Sequence, residues 1–197
     1  MSQTIYIIRH GETDWNRQKR FQGHTDIALN DEGRLQAVRL AMKLADVLPF
    51  DRLVASDLLR ARETAEILNR GYNTPIAVDE GLREMNFGQW EGLNITAIQE
   101  RWPDELQEWY TSGQLAVPGG ESQEELFQRV WQRFQYWAGQ EDYQKMGIVC
   151  HGAVCGVLIC GVLDRPHCEM QKYMLANTGM YVVTVEGGGK YKLKVLP

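Results

Sequence analysis

The sequence predicts an α/β fold: a three-layer α/β/α sandwich around a mixed, mainly parallel sheet, closed by a C-terminal antiparallel hairpin. Three observations carry this reading. Short apolar or β-branched runs alternate with stretches of helical period through most of the chain. Such alternation builds a parallel sheet covered on both faces. The last two apolar runs instead flank Gly187-Gly188-Gly189, which predicts a hairpin.

Taken in order, Thr4 to Ile8 is a compact β-branched run and reads as a buried strand. A polar loop follows through Asn30. Leu35, Val38, Met42, Ala45 and Leu48 recur at helical spacing and mark the apolar stripe of a helix that Pro49 ends. Arg52 to Ala55 is a second strand. Ser56 or Asp57 can cap a helix running to about Asn69, with Gly71 just past its end. Pro75 to Val78 is a third strand, and residues 82–121 are irregular and rich in Trp, Gly and Glu. Ser122-Gln123-Glu124-Glu125 is a capping box, opening a helix with Leu126, Val130, Phe134 and Trp137 on one face. Gly147 to Cys150 is a strand and Gly152 to Leu163 an apolar helix. Tyr181 to Val185 and Lys190 to Leu196 form the hairpin. In its last strand Lys190, Lys192 and Lys194 alternate with Tyr191, Leu193 and Val195, as on a charged sheet edge.

The 197 residues suit one domain able to bury a sizeable core unaided. Lys and Arg number 21 against 26 Asp and Glu, a net charge of −5 that argues against a nucleic-acid partner, which needs a basic face. The run Ile5-Tyr6-Ile7-Ile8 is too short for a signal-peptide core, and Ala153 to Leu163 is far below membrane-spanning length. Cys150, Cys155, Cys160 and Cys168 form no C-x-x-C and read as free thiols. Cys155 and His151 make two metal ligands without a third. The expectation is a cytoplasmic protein with neither nucleic-acid nor membrane partner and no metal.

Three junctions carry the chemistry. The first strand ends in Arg9-His10-Gly11, the second leads through Ser56 and Asp57 to Arg60, and the strand at 147–150 ends in His151-Gly152. Ligands of open α/β sheets bind beyond the carboxyl ends of the strands, so these residues are expected around one crevice. Two guanidinium groups and two imidazoles suit an anion with several oxygens, phosphate above all. Gly11 and Gly152 would let the backbone approach that ligand, and helix N-termini near 57 and 152 would add positive partial charge. Either histidine alone is more often a packing residue. The two in matching positions, with Arg9 adjacent, point to a site.

Arg9-His10-Gly11-Glu12-Thr13 resembles the signature of the histidine phosphatase superfamily, which also holds the cofactor-dependent phosphoglycerate mutases. Asn16, Gln22-Gly23, Ser56-Asp57-Leu58 with Arg60-Ala61, Leu82-Arg83-Glu84, Phe87-Gly88 with Trp90-Glu91-Gly92, Gly119-Gly120-Glu121-Ser122 and His151-Gly152 follow in the family's order. The resemblance implies a phosphoglycerate mutase-like fold in one domain, 1–197, with a lid-like insertion at about 85–121. It implies that His10 is the nucleophile and forms a phosphohistidine. It makes Arg9, Arg60 and His151 the phosphoryl ligands and Glu84 the proton donor and later the base. Asn16, Gln22, Gly23 and Gly152 would add phosphate or substrate contacts, with no metal or cofactor. His10 must be neutral to attack, and the two arginines disfavour its charged form. Glu12, Asp14, Glu80, Glu91 and Glu121 compete with Glu84 for the acid role.

Hydrolysis and mutase chemistry both pass through phosphohistidine. Between Gln89 and Glu121 one basic residue, Arg101, faces six acidic ones, Glu91, Glu100, Asp104, Glu105, Glu108 and Glu121. A lid this acidic suits bisphosphoglycerate poorly and favours a phosphatase of small phosphate monoesters. The basic run Arg17, Lys19, Arg20, a solvated loop by default, argues the other way. The 87–92 and 119–122 segments are similar to α-ribazole-5′-phosphate phosphatases, which act in cobalamin assembly, and to broad-specificity members. Trp90, Trp102, Trp109 and Tyr110 either wall a site for a ring-bearing substrate or pack the lid onto the body. A non-catalytic sensor of phosphorylated ligands is the alternative from another class. His24 and His167 are expected to be ordinary surface or turn residues. The apolar helix and the closing hairpin are candidates for core or for a homodimer interface.

Overall fold

Alternation along the strands divides the interior into two halves. The computed structural model describes residues 3–186 and 189–194. Its strands are β1 (Gln3–Arg9), β2 (Arg52–Ala55), β3 (Ile76–Val78), β4 (Lys145–Cys150), β5 (Met180–Glu186) and β6 (Lys190–Lys194). They form one sheet of order β3-β2-β4-β1-β5-β6, parallel from β3 to β1 and antiparallel at β5 and β6. One face carries Ile5, Ile7, Val54, Met146, Ile148 and Cys150 and is covered by α6 (Gln123–Ala138) and α7 (Gly152–Val162). The other carries Ile8, Leu53, Ala55 and Val149 and is covered by α2 (Asp31–Lys43) and α3 (Leu59–Leu68). This is the mixed α/β/α sandwich the sequence predicts. Three short helices, α1 (Asp14–Arg17), α4 (Ile95–Arg101) and α5 (Pro103–Thr111), lie in the connections. Residues 82–121 bury Leu82, Met85, Trp90, Ile98 and Leu106 in the first half of the core.

The elements obey local rules where those rules are local. Ser122 Oγ accepts from Glu125 N (3.1 Å) while Glu125 Oε2 accepts from Ser122 N (2.8 Å), completing the predicted capping box. Helix α7 is buried from Gly152 to Cys160, so it is core. Strand β6 closes the sheet with Lys190, Lys192 and Lys194 exposed and Tyr191 and Leu193 partly buried. Gly187, Gly188, Val195 and Leu196, at the hairpin's turn and end, lie outside the described residues. All four cysteines are free thiols. Among the described residues no helix is long and apolar enough to cross a membrane.

Two expectations need correction. Helix α2 buries Gly33, Ala37 and Leu40, whereas Leu35, Val38 and Met42 are 51%, 38% and 73% exposed. Backbone proximity sets this rotation: a Cβ on Gly33 would lie 2.1 Å from Glu12 O, so the helix turns its smallest residues inward. It ends at Lys43, and Leu48 packs separately against the core. Helix α3 is not capped by Ser56 or Asp57. Its N-cap is Leu58, and Asp26, far away in sequence, accepts from Leu59 N (2.7 Å), while Asp57 pairs with Arg83.

If α2 is oriented this way, Leu40→Ala should cost roughly 2–5 kcal/mol in urea denaturation. Met42→Ala should change stability by no more than about 0.5 kcal/mol. The reverse ranking would restore the stripe read from spacing.

Candidate active site

Strands β1 and β4 pair in parallel with Arg9 opposite Cys150. The next residue of each strand is a histidine, so His10 and His151 emerge side by side at the carboxyl edge. His10 N donates to Cys150 O (3.0 Å), and the two rings lie 5.2 Å apart, edge to face. Strand β2, on the other side of β4, leads into α3 and its second residue, Arg60. Arg9, His10, Asn16, Gln22, Arg60 and Glu84 line a single cleft of about 320 Å³. His151 is fully buried against His10, outside the lining, and neither of its ring nitrogens has a hydrogen-bond partner. Gly23 and Gly152 also stand outside the lining. Gly23 O accepts from Arg60 Nη2 (2.8 Å), and a Cβ on Gly152 would meet Arg9 Cζ at 3.3 Å.

His10 Nδ1 lies 2.7 Å from Gly11 O. A carbonyl only accepts, so Nδ1 carries the hydrogen and Nε2 keeps the lone pair. Burial holds the His10 pKa well below the usual histidine range, with Arg60 and then Arg9 adding to the effect and the Gly11 bond opposing it. His151 is lowered well below that range too, by burial first and then by Arg60, His10 and Arg9. Both rings are therefore neutral at pH 7.

The cations are held by carbonyls. Arg60 donates from Nη1 to Thr25 O (3.0 Å) and from Nη2 to Gly23 O, and Arg9 donates from Nη1 to Leu175 O. Burial lowers Arg60 to about 10, against the opposing charges of Glu84, Asp26 and Glu91, so it stays positive at neutral pH. The Nε atoms of Arg9 and Arg60 are buried without a partner. Asn16 Oδ1 accepts from Thr13 N (3.2 Å) and Asn177 Nδ2 (3.2 Å), which leaves its own amide nitrogen for an anion. Thr13 Oγ1 donates to Gln22 Oε1 (2.8 Å), orienting that amide likewise.

Glu84 is, among the described residues, the one carboxylate in the lining. It accepts from Met85 N (3.0 Å) and from Ala153 N (3.2 Å) in the first turn of α7. Its competitors are engaged elsewhere: Glu12 with Asn30, Asp14 with Arg17, Glu80 with Arg83, Glu91 with the backbone of His24 and Thr25, Glu121 with Arg129. Arg129 in turn splints the Glu84 loop, donating to Gly81 O, Arg83 O and Glu84 O.

Several sequence expectations shift. The close approach at Gly11 is to Gly33, whose carbonyl would meet a Gly11 Cβ at 2.5 Å. The N-termini of α3 and α7 are taken by Asp26 and Glu84, because a carboxylate satisfies a helix's first N–H groups as well as phosphate does. His24 lies half-buried in a turn, as expected, and its Nε2 additionally lies 3.0 Å from Glu84 O. His167 pairs with Glu124 (3.1 Å) and stacks on Phe127. The aromatic question divides: Trp90 is fully buried core with Trp102 packed against it, Trp109 is core and also reaches the cleft lining, and Tyr110 lines the cleft with Phe21 and Phe87. Lys19 and Arg20 line it as well, and none of the six acidic residues between 89 and 121 does. Gln171 and Met174 join from a segment that carried no sequence signal. Among the described residues no three His, Cys, Asp or Glu side chains gather to hold a metal ion.

Comparison with known proteins agrees with this geometry. Residues 5–196 match the histidine phosphatase superfamily (branch 1). The chain belongs to that superfamily. This histidine phosphatase superfamily member is 34% identical over 176 residues to a probable phosphoglycerate mutase GpmB of Erwinia tasmaniensis, covering 88% of this chain and 80% of that one. Its fold matches YhfR of Bacillus stearothermophilus with a TM-score of 0.90 at 32% identity, over 98% of this chain and 96% of the other. It matches the α-ribazole phosphatase of Shigella flexneri with a TM-score of 0.87 at 28% identity, over 98% and 95%.

The two buried histidines set a pH dependence of stability. Below about pH 6.5 the unfolded chain takes up protons that the folded rings refuse, so stability falls as pH drops. Above that pH both states are neutral and the contribution is flat. Between pH 6.5 and 5, in phosphate-free buffer, the slope should reach up to about 1.4 kcal/mol per pH unit for each ring. His10→Asn should roughly halve it. An unchanged slope in that variant would show that His10 is not the group responsible.

Proposed function

We propose that the protein hydrolyses small phosphate monoesters through a phosphohistidine on His10. The observation that supports this most is a neutral imidazole, its Nε2 lone pair free, lining one cleft with Arg9, Arg60 and Glu84. His10 Nε2 attacks phosphorus as the ester oxygen departs, forming an N–P bond and breaking the O–P bond. Arg9, Arg60, Asn16 and Gln22 hold the equatorial oxygens, where charge spreads in the transition state, and His151 adds a neutral donor. Glu84 gives its proton to the departing oxygen. It then takes one from the water that attacks the phosphohistidine and releases orthophosphate. No step calls for a metal. Residues 85–121 serve as a lid that brings Trp109 and Tyr110 over the substrate. Those rings, with Phe21 and Phe87, favour an ester whose alcohol carries a ring, such as α-ribazole 5′-phosphate. The free thiols suit a reducing cytoplasm.

A mutase reading has its own support, since Lys19 and Arg20 line the cleft and could hold the carboxylate of a phosphorylated acid. A panel of phosphate esters with and without 2,3-bisphosphoglycerate separates the two readings by whether free phosphate or an isomeric ester appears.

Hydrolysis of p-nitrophenyl phosphate should be readily measured for the native protein and should fall to background in His10→Ala. Equal, negligible rates for both would favour the non-catalytic sensor. Glu84→Gln should still bind orthophosphate but lose at least about a hundredfold in kcat. A near-normal kcat would remove Glu84 from the scheme.

A further inference from the structure

Glu91, in the Trp90-Glu91-Gly92 motif, takes no part in the steps above and does not line the cleft. Its carboxylate is nonetheless fully engaged. Oε1 accepts from His24 N (2.8 Å), and Oε2 accepts from Thr25 N (2.9 Å) and the Thr25 hydroxyl. The turn's own closing bond, from Thr25 N to Gln22 O (3.1 Å), shares one of these hydrogens. This is the turn whose carbonyls hold Arg60, at Gly23 O (2.8 Å) and Thr25 O (3.0 Å). The peptide unit between Gly23 and His24 is therefore bonded at both ends, its N–H to Glu91 and its C=O to Arg60. Anion and cation polarise that peptide in the same sense, and each strengthens the other's bond.

The fit is specific to this turn. Gly23 has φ +53°, and a Cβ there would stand 1.9 Å from Glu91 Oε1, so the carboxylate fills the space a side chain would need. The turn also reaches Glu84, whose carbonyl lies 3.0 Å from His24 Nε2. With Glu84 and Asp26, Glu91 supplies negative charge that favours the cationic form of the buried Arg60.

We infer that Glu91 is the positioning residue for Arg60, locking the 23–25 turn so that the guanidinium's remaining N–H groups point at the phosphoryl group. This rests on the reading of Arg60 as a phosphoryl ligand. A carboxylate that only stiffened the loop would affect stability and leave phosphate affinity alone.

The test is a double-mutant cycle read by calorimetric titration with orthophosphate. Glu91→Gln keeps the size but offers one acceptor oxygen to two N–H groups. It should weaken orthophosphate about tenfold in the otherwise native protein, and by less than about twofold in an Arg60→Ala background. Unchanged affinity in Glu91→Gln, even with a lowered unfolding temperature, overturns the inference. So does an equal loss in both backgrounds. If Glu91→Gln does not fold, Glu91→Asp replaces it, keeping the charge but falling short of both N–H groups, with the same expected loss and the same overturning results. Unchanged affinity in Arg60→Ala alone would instead overturn the reading of the site, and this inference with it.

Discussion

The register of β1 on β4 is the constraint from which the site follows. Pairing Arg9 with Cys150 brings two chemically matching strand ends together. A slip of one residue would turn His10 toward the opposite face of the sheet. What prevents the slip is apolar: Ile5, Ile7 and Ile8 are all fully buried, on both faces of the strand. Hydrophobic packing thus places the imidazoles, and burial then keeps them neutral. The same desolvation that suits a nucleophile makes a buried guanidinium expensive unless it is hydrogen-bonded.

The protein meets that cost with carbonyls. Arg9 and Arg60 are held by Leu175, Gly23 and Thr25 main-chain oxygens. A carboxylate in those places would neutralise the cations and compete with an incoming anion, whereas a carbonyl satisfies the donors and leaves the charge uncancelled. Asp26, Glu91 and Glu121 sit one layer out, on the backbone N–H groups of α3, of the 23–25 turn and of Asn86, and Glu84, the carboxylate that does line the cleft, also accepts from the first turn of α7. A chain of net charge −5 can therefore present a cationic cleft, because Arg9, Lys19, Arg20 and Arg60 line it with Glu84 as the one acid among the described residues.

What could be read from the sequence was what has a period or a short-range rule. The strands, the α6 capping box and the repeated strand-His-Gly ends are of this kind. The inner face of α2 was not, because Gly33 and Ala37 carry almost no hydrophobic signal: Gly33 is buried against the backbone of Glu12, and Ala37 clusters with Leu29 and Ile67. The cap of α3 was hidden by distance, since Asp26 lies 33 residues from its partner. Counting acids between 89 and 121 described a segment's composition but not which face meets the cleft. That face is aromatic, and Lys19 and Arg20 add to the positive charge of Arg9 and Arg60. The tautomer of His10 depended on a carbonyl orientation that no spacing encodes.

The contact between Gly11 and Gly33 ties the loop that bears His10 to the first turn of α2 without an intervening side chain. That turn does not line the cleft, yet a methyl on Gly33 would stand 2.1 Å from Glu12 O and press on the segment bearing His10. The helix is thus divided by sterics: its solvent side, with Leu35 and Met42, has room for other side chains, while Gly33 has room for none.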